Sequence, residues 1–276
     1  MSESLKKLKS VCEHILLGKS MADTVFPMSE RLEGKEIVDI SGEIYEGMPV
    51  YPGHQRTAIY DMKTHEETQE WYGDDPLTTA TLGVTFSDHG PTHTDAMNHF
   101  DPDDDAPGIN EMPLHMFYTD AVCVDVSEYL RSATDYLSEE QLRGQLDEAG
   151  LEVNTGETVL LYTGHWNRNW DTYEWLHDYG GLTRGATQWL ADQGVVNIGV
   201  DSPSIDSSAE MTRRKEGEND DYRAHRVCKE ERVANTENLC NLDKIAGQRF
   251  LYVGIPLKIR DGTGSPVRAV AIRDAV

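Results

Sequence analysis

Four potential metal ligands lie close together in one stretch of the sequence. His89, His93, Asp95 and His99 have the spacing H-x3-H-x-D-x3-H. If residues 92–100 form an extended strand, its period of two places the last three of these side chains on one face. His89 precedes that strand at a Gly-Pro bend, which can turn its imidazole toward the same face. Two imidazoles and a carboxylate with coordination positions left open suit a catalytic Zn²⁺ or Mn²⁺.

The alternative for this stretch is a solvated strand edge or a hydrogen-bonded polar rim. Four ligand-type residues at such short spacing favour the metal site. Other histidines stand alone, and a lone histidine is more often structural. We interpret His54 as a surface loop residue rather than a ligand. His165, at the end of a predicted strand, either lines a pocket or is a hydrogen-bonded loop residue.

The composition limits the partners of the chain. Its 276 residues suffice for one large domain with a buried core. A formal net charge of -24 argues against nucleic acid or an anionic membrane as a partner. Acidic residues are abundant and dispersed, while lysine is scarce, which is typical of proteins from a salt-rich cytoplasm. We therefore expect a halophilic source; the alternative is an ordinary acidic cytosolic protein.

The cysteines and the N-terminus indicate the compartment. The four cysteines show no paired spacing, which predicts reduced thiols in a cytosolic protein. The first apolar segment is interrupted by charges, so the sequence predicts neither a signal peptide nor a transmembrane helix. The expected protein is soluble and cytoplasmic.

Hydrophobic periodicity predicts a mixed α/β domain with a central sheet, because apolar β-branched segments outnumber the helices. Helices are predicted at 2–18, 138–150 and 183–194, and strands at 36–41, 78–85, 121–126, 158–163, 196–200, 250–257 and 267–272. The polar segment 64–75 is either a lid or a packed surface loop. Segment 211–222 is a densely charged insertion.

The ligand stretch resembles the signature H-x-G-T-H-x-D-x-P-x-H of the cyclase family of metal-dependent hydrolases, which includes kynurenine formamidase, isatin hydrolase and trans-dienelactone hydrolase. The chain has Pro91 where the family usually has glycine and Met97 where it usually has proline. Those positions shape the backbone and the pocket wall, so the changes bear on the substrate more than on the metal. The resemblance covers residues 36–272. It implies the swivelling β/β/α fold, a single α/β domain at 36–276, and a helical extension at 1–35.

A second family segment, Asp-Ser-Pro-Ser-Ile-Asp, occupies residues 201–206. We expect Asp201 and Ser204 to orient this turn, or to contact a metal ligand from behind.

The resemblance also implies the metal ligands. One ion would be held by His89, His93 and Asp95. A second would be held by Asp95 as a bridge together with His225 and Glu237. The implied cofactor is Zn²⁺, one or two ions per chain, with Mn²⁺ as the alternative. The other interpretation of Glu237 is a first-turn glutamate of a short helix.

His99, left out of both ligand sets, would act as general base on a metal-activated water and then as general acid. The first hypothesis is hydrolysis of an amide, an arylformamide such as N-formylkynurenine, or a related small carbonyl compound. The second is a lactone or isatin-type cyclic amide on the same centre, and the third is a metal-binding homologue without turnover. The sequence has no Gly-x-Ser-x-Gly elbow, which argues against a serine triad. Family members commonly form dimers or tetramers, so a homodimer or homotetramer is expected.

Overall fold

The computed structural model describes residues 32–73, 75, 77–210 and 223–275. The predicted helix at 2–18 and the charged segment 211–222 lie outside these ranges. The chain divides into two compact units, Ile37–Arg273 and a smaller one combining Met1–Glu36 with Asp274–Val276. The predicted division into a helical extension and a hydrolase domain stays a prediction.

Nine of the described strands form one mixed sheet, in the order β1-β13-β11-β5-β7-β9-β10-β4-β12. The strands are β1 Lys35–Asp39, β2 Ala58–Lys63, β3 Thr81–Thr85, β4 His93–Asp95, β5 Tyr118–Asp125, β6 Tyr136–Leu137, β7 Thr158–Tyr162, β8 Gly181–Leu182, β9 Asn197–Val200, β10 Ala234–Glu237, β11 Gln248–Val253, β12 Gly264–Pro266 and β13 Val270–Asp274. Strands β5, β7, β9 and β10 run parallel, and β11 and β4 pair antiparallel with the two ends of that run.

Three helices pack against one face of the parallel strands: α2 Glu139–Ala149, α4 Arg184–Asp192 and α5 Arg223–Glu231. The other labelled helices are α1 His65–Tyr72 and α3 His165–Asn169. Because side chains alternate along a strand, Val122 and Val124 of β5 pack in the core that includes residues of α2, α4 and α5. Ala121 and Cys123 pack on the opposite face with residues of β11 and β13. The predicted α/β class with a central mixed sheet is confirmed.

Capping chemistry sets the helix starts. In α2, Ser138 and Gln141 form a reciprocal capping box, and Gly150 ends the helix in the left-handed conformation, as predicted. For segment 64–75 the surface-loop alternative is wrong, because the segment contains α1. The lid alternative stays a prediction. Thr64 and Glu67 form a capping box there too, a Thr-x-x-Glu signal present in the sequence.

The expectation that residues 92–100 are extended throughout is also wrong. Only His93–Asp95 is a strand, and Met97–His99 forms a 3₁₀ turn. The His99 amide donates to the Ala96 carbonyl at 3.1 Å. No β-branched residue follows Thr94 in this stretch, so little favours continuing the strand. The turn, rather than strand periodicity, directs the His99 ring.

Candidate functional site

Short strands at one end of the main sheet position the predicted ligands. In the antiparallel pair β4 and β10, His93 lies opposite Glu237 and Asp95 lies opposite Asn235. The alternation along both strands brings these side chains to one face. Glu237 therefore ends a strand, and its interpretation as the first turn of a helix is wrong.

Strand β12 flanks β4 on the other side, with Gly264 opposite Asp95. A Cβ on Gly264 would lie 2.8 Å from Cε1 of His89. A glycine at this position therefore leaves the space that the His89 ring occupies.

The predicted metal ligands converge on Asp95. Its Oδ1 lies 2.8 Å from Nδ1 of His89 and 3.3 Å from Nε2 of His93. Its Oδ2 lies 3.4 Å from Nε2 of His225. Glu237 reaches the same two imidazoles, at 3.6 Å from Nε2 of His93 and 3.4 Å from Nε2 of His225. All five side chains are buried.

The outer nitrogens of two of these imidazoles are occupied by other acceptors. Nδ1 of His93 donates to the Pro91 carbonyl at 3.0 Å. Nδ1 of His225 donates to Oδ2 of Asp206, which also accepts from the His225 amide, while Oδ1 of Asp206 accepts from the Ala224 amide. A neutral imidazole has one N–H, so in the neutral form of either ring the Nε2 lone pair faces the carboxylates of Asp95 and Glu237.

His89 is held from its other side. Its Nε2 lies 2.9 Å from Oγ1 of Thr263, and that hydroxyl lies 2.8 Å from Oδ2 of Asp88. Burial acts to raise the pKa of Asp88, but hydrogen bonds from Thr263 help to hold it below its usual value. Asp88 is therefore ionised at neutral pH.

The donor set fits a divalent cation. If the imidazoles are neutral, their lone pairs face carboxylate oxygens, and acceptor facing acceptor is unfavourable in a buried site unless positive charge lies between them. The Nδ2 amide group of Asn235 donates to Oδ2 of Asp95 at 3.1 Å and to Oε1 of Glu237 at 2.8 Å, and it lies 3.1 Å from Nε2 of His225. Among the described residues, the Oδ1 of Asn235 is buried without a partner. Among the described residues, two sets of side chains have potential metal-ligand atoms that all lie within 4.8 Å of one another. One set is His89, Asp95 and His99, the other is His93, Asp95 and Glu237, and Asp95 belongs to both.

The electrostatics agree with a cation at this place. Burial acts to raise the pKa of Asp95, but the neighbouring imidazoles, led by His99, hold it well below its usual value. Burial acts to lower the pKa of His225, but Asp206 raises it well above its usual value. The carboxylates thus favour positive charge, which either a proton on an imidazole or a metal ion supplies.

His99 differs from the other histidines of the cluster. Its ring centroid lies 4.0 Å from that of His89, so it reaches the centre. Burial, together with the nearby imidazoles, lowers its pKa to about 4, so the ring is neutral at physiological pH. Within the described ranges, no hydrogen bond ties either of its ring nitrogens. Its proton can therefore be taken up and released without breaking a contact within the protein.

A cavity of about 420 Å³ opens onto this cluster. Its wall carries four aromatic side chains, Tyr51, Phe100, Trp170 and Trp175. His54 also lines it, half-buried, with its ring centroid 5.5 Å from that of His89 and its Nδ1 buried without a partner among the described residues. His54 thus lies in a loop, as predicted, but it faces the cavity rather than open solvent. Its interpretation as a residue that is not a ligand stays a prediction.

His165, by contrast, is not among the residues that line this cavity. It is buried, and its Nε2 donates to the Trp175 carbonyl at 2.9 Å. Of the two alternatives for His165, the hydrogen-bonded one is correct. Its bond fixes the backbone of an aromatic residue of the cavity wall.

Comparison with known proteins identifies the family. The family model named Cyclase matches residues 38–207, which include the ligand stretch and the loop at 201–206. The chain belongs to the cyclase family. The predicted family and its hydrolase class are confirmed.

The chain is similar to proteins that are named as hydrolases. It is 27% identical over 247 residues to the kynurenine formamidase of Erythrobacter litoralis, covering 88% of this chain and 96% of the relative. It is 24% identical over 245 residues to the isatin hydrolase of Roseibium aggregatum, covering 86% and 91%. A crystal structure of an isatin hydrolase bound to the product analogue thioisatinate has a TM-score of 0.75 at 22% identity, with 100% of each chain covered.

Sequence reasoning missed several residues of this cyclase site. Asp206 contacts His225, whereas the expected candidate in its loop, Asp201, accepts only from Thr163 and Gly164 among the described contacts. The segment at 201–206 was the available signal for Asp206. Thr263 gave none, because it lies 174 positions from His89 in the sequence.

Proposed function

We propose that this protein hydrolyses the amide bond of a small arylformamide at a divalent metal centre. The observation that supports the proposal is the buried convergence of imidazole lone pairs and two carboxylates around Asp95. No charge-balancing lysine or arginine lies among the described contacts of Asp95, so a metal ion is the natural complement.

The first ion would be held by His89, His93 and Asp95, and a second by Asp95, His225 and Glu237. Nitrogen and oxygen ligands in this combination suit Zn²⁺, with Mn²⁺ as the alternative. A bound divalent ion supplies Lewis acidity, since it polarises a carbonyl oxygen and lowers the pKa of a water molecule.

His99 provides the proton transfers. As a neutral base it takes the proton of the attacking water, and as an imidazolium it gives that proton to the departing amine nitrogen. Asp206 holds the His225 ring in place through Nδ1, and the Pro91 carbonyl does the same for His93. These contacts are present before substrate arrives, so the site needs little reorganisation during the reaction.

The lining of the cavity favours a planar aromatic substrate. Phe100 lies against His225 with ring centroids 4.1 Å apart and the rings tilted by 31°, and Trp170 and Trp175 complete an aromatic wall. Relatives named kynurenine formamidase support an arylformamide. The isatin hydrolases support the rival, a cyclic amide or lactone opened at the same centre. A metal-binding homologue without turnover is the remaining alternative.

The setting of the protein is also a proposal. We infer a halophilic, cytoplasmic enzyme that assembles as a homodimer or homotetramer. Three described cysteines, Cys123, Cys228 and Cys240, are free and buried, in keeping with a reducing compartment. Among the described residues, no helix has the length and apolar character needed to cross a bilayer.

Hydrolysis of formanilide, isatin and a small lactone by the zinc-loaded protein in high salt tests this proposal. We expect turnover of formanilide, and a fall in kcat of about 10²–10⁴-fold in His99→Ala with metal content unchanged. His115→Ala, which removes an exposed imidazole, is the matched control and should retain full activity. Turnover of isatin or the lactone alone would favour the rival, and a fully active His99→Ala would remove His99 from the mechanism.

A further inference from the structure

A chain of hydrogen bonds behind His89 fixes the position of its proton. The carboxylate of Asp88 can only accept, so the Thr263 hydroxyl donates to Oδ2 of Asp88 at 2.8 Å. The backbone amide of Thr263 donates to the same oxygen at 3.1 Å. With its own proton committed, the hydroxyl oxygen accepts from Nε2 of His89 at 2.9 Å.

A proton on Nε2 leaves Nδ1 of neutral His89 bare. That nitrogen faces Oδ1 of Asp95 at 2.8 Å. In His93 and His225 the order is reversed, because Nδ1 holds the proton against Pro91 or Asp206 and Nε2 faces the centre. His89 therefore presents Nδ1 to the centre, whereas His93 and His225 present Nε2.

We propose that Thr263 and Asp88 are positioning residues that set the tautomer of His89, so that His89 binds the metal through Nδ1 while His93 and His225 bind through Nε2. This inference rests on the metal centre proposed above. It assigns a role to the loop before β12, which contributes no proposed metal ligand of its own.

Loss of the hydroxyl would reverse the preference. In Thr263→Val, the Nε2 proton of buried His89 loses its acceptor, and Oδ1 of Asp88 lies 4.0 Å away, beyond hydrogen-bond distance, which is unfavourable. The ring then gains by carrying its proton on Nδ1 and donating it to Asp95. That proton occupies the lone pair that a metal ion would need, so metal binding has to displace it.

Zinc affinity, measured by competition with a chromophoric chelator, provides the first test. We expect Thr263→Val to raise the zinc dissociation constant about 10–100-fold. Thr263→Ser keeps the hydroxyl and should restore affinity to near that of the wild type. Thr155→Val is the matched control, because it removes a threonine hydroxyl that donates to the Gln193 carbonyl in a different loop. Equal affinity in the wild type and Thr263→Val would overturn the inference.

A spectroscopic readout separates positioning from simple destabilisation. In zinc-loaded protein with ¹⁵N-labelled histidine, we expect zinc on Nδ1 and hydrogen on Nε2 for His89, and the reverse for His93 and His225. Zinc on Nε2 of His89 would overturn the inference even if the affinities follow the expected order. Should Thr263→Val fail to fold, Asp88→Ala provides the test, because it leaves the Thr263 hydroxyl free to rotate. Asp88→Ala should also weaken zinc binding, and an unchanged zinc affinity in this variant would overturn the role of Asp88 and Thr263.

Failure of this inference is distinct from failure of the proposed function. A wild-type protein that takes up no zinc would remove the metal centre itself. A wild-type protein that binds zinc through Nε2 of His89 would leave the hydrolase proposal intact and remove only the role of Thr263 and Asp88.

Discussion

Asp95 and Asp201 are both buried carboxylates that follow or end strands of the same sheet, yet their surroundings differ. Asp201 accepts from the amide and hydroxyl of Thr163 at 2.8 and 2.6 Å and from the Gly164 amide at 2.9 Å. Asp95 faces imidazole nitrogens and accepts one side-chain amide bond from Asn235. The protein itself satisfies Asp201, whereas Asp95 is arranged for a positive charge.

This contrast shows that burial alone does not mark a functional carboxylate. Burial raises the pKa of Asp201 to about 6, although its hydrogen bonds act in the other direction. Around Asp95 the imidazoles reverse the effect of burial. A structural carboxylate is recognised by donors of its own chain, and a metal-binding one by neighbours that are themselves ligands.

The largest effect is expected at Asp95, the carboxylate that faces imidazole nitrogens. Asp95→Asn keeps the shape of the side chain but removes the charge and one oxygen ligand of both proposed ions. Metal content should fall to background, and hydrolysis should fall by at least about 10³-fold. Elemental analysis with a parallel assay measures both. Asp120→Asn, at an exposed position on β5, is the control. Full metal occupancy in Asp95→Asn would show that metal binding does not depend on this carboxylate, and would contradict the difference between Asp95 and Asp201.

At Asp201, we expect a substitution to change folding stability rather than metal binding. The folded-state pKa of Asp201, about 6, lies above the usual value of 3.8, so the folded state binds more protons between these values. Stability from this group is therefore present below about pH 4 and lost as pH rises through about 6, by at most about 3 kcal/mol.

The measurement is denaturant unfolding of the wild type and Asp201→Asn at pH 4.5 and 7.5. Relative to the variant, the wild type should lose stability at the higher pH, while both bind metal equally. A stability difference that does not change with pH would show that Asp201 does not titrate in this window.

A smaller effect is expected behind the metal centre. Asp206→Asn can still accept from Nδ1 of His225 but loses the negative charge that orients and polarises the ring. Zinc affinity should fall about tenfold, with the fold unchanged by circular dichroism. If Asp206 were a purely structural residue like Asp201, thermal stability would change and zinc affinity would not.

Local signals in the sequence predicted much of the fold. Strands at 158–163 and 196–200 and the helix at 138–150 were predicted close to their observed bounds, because apolar runs and caps are short-range features. The helix α1 was missed although its capping box is present in the sequence. The turn at Met97–His99 was missed because strand periodicity was extended beyond its β-branched residues.

The site was predictable to the extent that it is local. The ligand stretch carries four of the six predicted residues within one segment. The structure brings Glu237 to it on β10 and His225 from helix α5. The supporting residues Asp206, Asn235 and Thr263 come from distant loops and strands. Their contacts depend on strand order and register, which no short spacing encodes.

Metal content per chain tests most directly whether the cluster around Asp95 binds metal ions. The protein would be purified in high salt without a histidine tag or added metal, and analysed for zinc and manganese. We expect about two ions per chain, bridged by Asp95, or about one if only His89, His93 and Asp95 retain their ion. No bound metal, and none taken up when zinc or manganese is added, would contradict it.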